Sequence, residues 1–385
     1  MLPRIIADDN IPFLKGVLEP FATVRYLSGQ IIDRSNLIGA DALIVRTRTA
    51  CSADLLKGTA IKIIASATIG FDHIDTRYCD SHNIQWVTAP GCNANSVCQY
   101  LASALFILAK KGGFCLADKT LGIIGAGHVG SKVEQLARLL GMKVLLNDPP
   151  RQRKEDSNQF VSLERILKDS DLITFHVPLN RDGKDPTFHL MNETNLRKIK
   201  PGVFLINTSR GEVVHTAALK QLIREGLVAG TVLDVWENEP IPDSDLLNLS
   251  IIGTPHIAGY SVDGKANGTA AVVRAVAAYF NFPLQSWFPP HLPFPEKPII
   301  QIEGRGKSSE EIIGETILKS YNILNDADAL KENPLQFEQL RNQYPPRREY
   351  PAFIVTVREG TDEIQNALNG LGFICEKYGD GQPLK

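Results

Sequence analysis

The stretch Thr120–Gly130, TLGIIGAGHVG, constrains this chain more than any other. An apolar run leads into Gly125-x-Gly127-x-x-Gly130, and the amphipathic segment SKVEQLARLLG follows at once. The next apolar run, KVLLND, closes on Asp148, about 20 residues on. A bare GxGxxG is weak evidence, but strand, glycine loop, helix and terminal acid together describe a dinucleotide-binding βαβ unit. Gly125 would allow the tight turn, Gly127 the approach of a pyrophosphate, and Gly130 close packing of helix on strand. Asp148 would accept hydrogen bonds from a ribose diol and repel a 2′-phosphate, which favours NAD over NADP.

The motif begins well inside the chain, so a first α/β unit must precede it. Strand candidates there are Arg4–Ala7, Ala42–Arg46, Ile61–Ala65 and Gln85–Thr88. A helix capped by Asn95 or Ser96 ends at Gly112–Gly113, and a second α/β series runs from Lys119 to about Thr254. The helix expected over 262–282 leads to a proline-rich linker, Phe282–Pro298. Beyond it the pattern changes to strand 299–302, helices 310–325 and 333–343, strand 352–357, helix 362–371 and strand Phe373–Tyr378. A length of 385 residues agrees with two or three domains.

Acidic and basic residues nearly cancel, 43 against 41, so neither nucleic acid nor an anionic membrane is expected as the main partner. No apolar run is long enough to span a bilayer, and the opening MLPRIIADDN lacks a signal-peptide core. The six cysteines form no CxxC and no metal-like spacing with histidine. The reading is a cytoplasmic protein with reduced thiols and no metal.

Three loops after later strands carry the candidate chemistry. Arg210 follows VFLI beside Gly211, which reads as a flexible position; Asp234, Glu237 and Glu239 follow the next strand; His256 follows Ile251–Ile252. Ligands of open parallel sheets collect at the carboxyl ends of strands, so these loops could converge there. An arginine can clamp a carboxylate, a histidine can take a hydroxyl proton, and a glutamate can steady the imidazolium. Taken singly, His256 suits a packed core, and Arg210 and Glu239 suit surface ion pairs.

The ordered set GxGxxG with Asp148, His176-Val-Pro-Leu179, SRG, DVWENEP and TPHIAG resembles the D-2-hydroxyacid dehydrogenase family over about residues 1–285. VRTRT at 45–49, ATIGFDHID at 67–75, NDPP at 147–150 and the extension containing QYPPRREYP are similar to a branch with an extra C-terminal domain. The resemblance implies an α/β fold: a Rossmann-type NAD domain (96–259, with hinge helix) inserted in a flavodoxin-like substrate domain (1–95 and 260–285). A small α+β dimerisation domain (286–385) would follow. It implies Arg210, Glu239 and His256 as the catalytic set, with His256 as proton acceptor. NAD contacts would come from Gly125, Gly127, His128, Val129, Gly130, Asp148, Val177, Thr208, Ser209, Asp234 and Gly259. Thr47, Thr68 and Tyr260, with Arg210, would hold a small phosphorylated hydroxy acid. Arg46 and Arg48 are candidates for the phosphate; alternatively Arg347 or Arg348 reaches it across a homodimer, or forms a solvated basic turn. The rivals are a phosphoglycerate- or hydroxypyruvate-type dehydrogenase, which would use the same catalytic residues, and an NAD-sensing corepressor-like binding protein.

Overall fold

Strands β1 (Arg4–Asp8), β2 (Thr23–Leu27), β3 (Ala42–Val45), β4 (Ile63–Ser66) and β5 (Gln85–Val87) form a parallel sheet in the order β2-β1-β3-β4-β5. The computed structural model describes residues 2–376 and divides into two compact units, 2–93 with 261–293 and 94–260 with 294–376. In the first unit, alternation along β1 sends Ile5 and Ala7 to one face and Ile6 to the other. Val272, Val273 and Val276 of the helix Val262–Phe280 cover the Ile5 face. Chain order reverses between β1 and β3, the flavodoxin-like arrangement expected. Sequence reading missed β2, a half-exposed edge strand whose TVRYL places Arg25 mid-strand and lacks a continuous apolar run.

The second unit carries β6 (Thr120–Ile124), β7 (Lys143–Asn147), β8 (Leu172–Phe175), β9 (Val203–Asn207), β10 (Val228–Leu233) and β11 (Ile252–Gly253). They form one parallel sheet, ordered β11-β10-β9-β8-β6-β7. An isolated bridge from Leu146 to Phe160 adds a trace of a further strand beyond β7. The switch in direction falls between β6 and β8, so the glycine loop after β6 opens at the carboxyl edge of the sheet.

Residues 299–376 build a third parallel sheet, β12 (Ile299–Glu303), β13 (Ile354–Arg358) and β14 (Ile374–Glu376), in chain order. Of the strand expected over Phe373–Tyr378, the last two residues lie outside the described residues. The helix expected over 310–325 is two helices, Ser309–Ser320 and Ile323–Glu332, because the Asn322 side chain caps the second at the Leu324 amide.

This third sheet shares its core with the nucleotide domain. The helix Ala94–Gly112 is buried on nearly every face, the mark of a helix enclosed by protein on all sides. One side meets Val133, Leu136 and Ala137, and the other meets Ile312, Ile313 and Ile317. Gly314 lies so close to Phe106 that an added Cβ would stand 2.6 Å from the ring. Polar ties fix the same junction: Ser96 donates to Glu349 at 2.8 Å and Gln99 to the Arg348 carbonyl at 3.0 Å. No helix of the described residues is long and apolar enough to cross a membrane.

Candidate active site

Each glycine of the loop after β6 has its own physical reason. Gly125 adopts φ +89°, and a Cβ there would meet the His176 carbonyl oxygen at 2.5 Å. A Cβ on Gly130 would lie 2.0 Å from the Gly125 oxygen. Gly127 has nothing within 4 Å of an added Cβ, so no protein contact demands glycine there. That opening sits at the cap of the helix His128–Leu139, where His128 and Val129 supply the first helical amides. Bare amides beside an uncrowded glycine suit a pyrophosphate.

The Asp148 carboxylate accepts from the Ala126 amide at 2.9 Å and the Arg151 amide at 3.0 Å. It therefore ties the glycine loop to the end of β7. Arg151 is engaged by Glu155 at 2.7 Å and by the Ala126 carbonyl, and Arg153 pairs with Asp185. Both arginines near Asp148 thus have carboxylate partners already.

The loop after β9 is pinned by Asn207, which accepts from the Ser209 amide and hydroxyl at 3.1 and 2.8 Å and donates to the Arg210 carbonyl at 2.8 Å. Thr208 faces His176 at 3.5 Å, and Val177 follows His176 after β8. Burial pushes the His176 imidazole down to about 3, so it is neutral at physiological pH. Arg210 is extended (φ −141°, ψ 142°) and donates to the Ser209 carbonyl at 2.8 Å. The flexibility expected of Gly211 is not what the position needs. A Cβ there would fall 2.0 Å from the carbonyl carbon of Trp236, so glycine lets two backbones touch.

The structure gives the three acids after β10 three different sets of partners. Asp234, 1% exposed, accepts from the Thr254 hydroxyl (2.7 Å) and the Ile257 and Ala258 amides (2.7 and 2.8 Å). Glu237 takes His189 at 2.6 Å and the Thr216 amide at 2.8 Å. Glu239 alone meets His256: its Oε2 lies 2.7 Å from Nδ1, while Oε1 accepts from the Trp236 amide at 3.0 Å. Burial would raise the Glu239 carboxyl. The His256 charge and hydrogen bond, the Trp236 amide and the Arg341 charge outweigh it and hold the group below its usual range. An ionised Glu239 fixes a proton on Nδ1 and leaves Nε2 as the basic nitrogen of His256.

Residues 107–258 match the family model for the NAD binding domain of D-isomer specific 2-hydroxyacid dehydrogenases, and residues 293–372 match a domain of unknown function. The chain is 46% identical to erythronate-4-phosphate dehydrogenase of Bacteroides fragilis, covering 92% of this chain and 99% of that one. The chain belongs to the erythronate-4-phosphate dehydrogenase family. A second member, from Porphyromonas gingivalis, is 41% identical over 96% of this chain and the whole of its own length. Among solved structures, D-lactate dehydrogenase of Aquifex aeolicus, complexed with NAD and lactic acid, is similar with a TM-score of 0.61 and 29% identity. That likeness covers 73% of this chain and 96% of the other. The cofactor of the family domain is NAD, and the open Gly127 cradle and the Asp148 carboxylate both fit it.

This family member brings a residue from its C-terminal part that sequence reading overlooked. Arg341, on the helix Phe337–Asn342, donates to the Tyr260 hydroxyl at 3.0 Å, and its charge acts on Glu239. Nothing in a short polar helix marks such a residue; only the fold brings it to Tyr260. Gly259 forms the turn before Tyr260. Arg347 fits neither expectation for its segment. It is 6% exposed and donates to the Ile257 and Ala258 carbonyls of its own chain, so it is neither a solvated turn residue nor a free arm for a partner. Arg348 is half-buried.

In the first unit, Thr47 and Thr68 follow the carboxyl ends of β3 and β4. Thr47 is exposed, and Thr68 shares a hydrogen bond with Ser66 at 2.8 Å. Arg46 is half-buried and Arg48 exposed.

Asp148 and the carboxylate-bound Arg151 and Arg153 lead to a cofactor prediction. Catalytic efficiency with NAD should exceed that with NADP by about tenfold or more, the scale of one lost charge-assisted contact. Initial rates with each cofactor test it, and equal efficiencies would remove Asp148 as the discriminator.

Proposed function

We propose that this chain oxidises the C2 hydroxyl of 4-phospho-D-erythronate with NAD, giving 3-hydroxy-2-oxo-4-phosphooxybutanoate for pyridoxal 5′-phosphate synthesis. NAD, when bound, supplies the acceptor for the hydride leaving C2. Arg210 clamps the C1 carboxylate and so fixes which face of C2 is presented. His256 Nε2 takes the hydroxyl proton, and Glu239 stabilises the imidazolium that forms. Thr47, Thr68 and Tyr260 contact the rest of the substrate. The observation that carries the reading is the Glu239–His256 pair at 2.7 Å, on loops that share a sheet edge with Arg210.

A phosphoglycerate- or hydroxypyruvate-type dehydrogenase would use the same catalytic set, so the substrate discriminates. The terminal phosphate separates 4-phospho-D-erythronate from unphosphorylated acids, and its extra carbon separates it from D-3-phosphoglycerate. Initial rates with 4-phospho-D-erythronate, D-erythronate and D-3-phosphoglycerate test the assignment. The first should exceed the second by about ten- to a hundredfold in kcat/KM, from charge-assisted contacts to the phosphate. Equal rates with and without the phosphate, or a preference for D-3-phosphoglycerate, would overturn it.

We further propose that the enzyme is a cytoplasmic homodimer associating through its C-terminal part; two-fold dimers are the commonest closed oligomers. Because that part shares a core with the nucleotide domain, the test uses the full chain. Sedimentation should return twice the chain mass, and a monomer at micromolar concentration would refute the dimer. Recovery with the membrane fraction on cell lysis would refute the compartment.

A further inference from the structure

The segment Tyr344–Tyr350 holds a buried cation, Arg347. Arg347 lies with its guanidinium 4.4 Å from the Tyr321 ring centre and 5.8 Å from that of Tyr344. Asp326 accepts from the hydroxyls of both tyrosines, at 2.6 and 2.9 Å, and its charge acts on Arg347. Yet Nε and Nη1 of Arg347 are buried with no hydrogen-bond partner among the described residues. Unmade bonds on a buried charge cost free energy.

What this arginine does hold is the loop that carries His256. Its Nη2 donates to the Ile257 carbonyl at 3.3 Å and to the Ala258 carbonyl. From the other side, Asp234 accepts the amides of the same two residues. The peptide between Ile257 and Ala258 is thus gripped at its N–H by the nucleotide domain and at its C=O by the C-terminal part, and the peptide on either side is held at one end. Just before them, His256 has φ +58°, a left-handed backbone that a residue with a Cβ rarely adopts without surrounding support.

We propose that Arg347 is a positioning residue for the reaction: it clamps the Ile257–Ala258 carbonyls and so holds His256 in line with Glu239 and the substrate hydroxyl. The proposal rests on the reading of His256 as proton acceptor. It gives the C-terminal part a role in turnover separate from association. Arg347 touches no reacting atom and acts only through the loop.

The test uses the full-length protein, with NAD affinity, KM and kcat measured for Arg347→Ala, Arg347→Lys and His256→Ala. Arg347→Ala should lose roughly a hundredfold in kcat, the scale of a small misplacement of a catalytic group, with NAD affinity essentially unchanged. Added guanidinium ion at millimolar, non-denaturing concentration should restore part of that kcat, and none in His256→Ala. A folded Arg347→Ala enzyme with near-wild-type kcat would overturn the proposal. So would a loss that guanidinium does not relieve and that NAD affinity shares, since that is a merely structural defect. If Arg347→Ala does not fold, Arg347→Lys decides: it keeps the charge but lacks the planar fork, so kcat should fall about tenfold. A wild-type kcat in Arg347→Lys would then overturn the clamp. Failure of the wild type to turn over would sink the functional reading and this proposal together; an active wild type with fully active Arg347 variants sinks this proposal alone.

Discussion

Replacing His256 by alanine is expected to lower kcat by about two to four powers of ten, the usual weight of a lost general base. NAD affinity should barely change. The glycine loop, Asp148 and the amides at the start of the helix His128–Leu139 stand on other strands of the sheet, and none of them is held by the imidazole. Among the described residues the His256 side chain pairs with Glu239, so its removal frees one carboxylate oxygen and opens no core. Oε1 keeps the Trp236 amide, which limits structural damage at Glu239. Steady-state rates with NAD titrated by fluorescence separate the two effects. A His256→Ala enzyme with near-normal kcat would remove the residue from the chemistry.

Gly211→Ala should be nearly as harmful for a different reason. The new Cβ would lie 2.0 Å from the Trp236 carbonyl carbon, 2.2 Å from its oxygen and 2.4 Å from the Glu237 amide nitrogen. These are backbone atoms, so no rotamer change relieves the clash. The loop with Arg210 must separate from the loop with Glu239, and both arms of the site move. We expect kcat/KM to fall roughly a hundredfold from misplacement, and unfolding free energy to fall by about 1–3 kcal/mol from overpacking. Gly127→Ala is the natural contrast, because its Cβ meets nothing in the protein. That variant should keep its stability and lose NAD affinity. Kinetics and urea unfolding of both variants check the pair, and a Gly211→Ala enzyme with wild-type kcat/KM would contradict the close-packed loop.

What was legible in the sequence follows from the range of each interaction. The βαβ unit from Thr120 to Asp148 is specified by neighbours: an apolar run, glycines at fixed offsets, and an acid that ends the next strand. The carboxyl-edge placement of Arg210, Glu239 and His256 follows from one parallel sheet and short loops. The residues themselves did not give the partner of each acid; Glu239 beside His256 came only from the resemblance. Glu237 and Glu239 are two residues apart in one acidic run, and only the turn between them sends one to His189 and the other to His256. Strand β2 escaped notice because an edge strand with half-exposed residues carries little apolar signal. The roles of Arg341 and Arg347 depend on contacts across about 80 to 90 residues of chain, to Tyr260 and to Ile257–Ala258. One signal of this was present. The helix Ala94–Gly112 is apolar around most of its circumference, which a helix covered on one side only would not be.

The most direct measurement is the near-ultraviolet absorbance of NADH after the chain is mixed with NAD and 4-phospho-D-erythronate, with the 2-oxo acid trapped by hydrazine. The account predicts continuous NADH formation, matched mole for mole by the hydrazone and slowed in His256→Ala by about two to four powers of ten. Tight NAD binding with no NADH formed from this substrate would contradict it, and would mark the chain as an NAD-sensing protein that keeps the catalytic residues without the reaction.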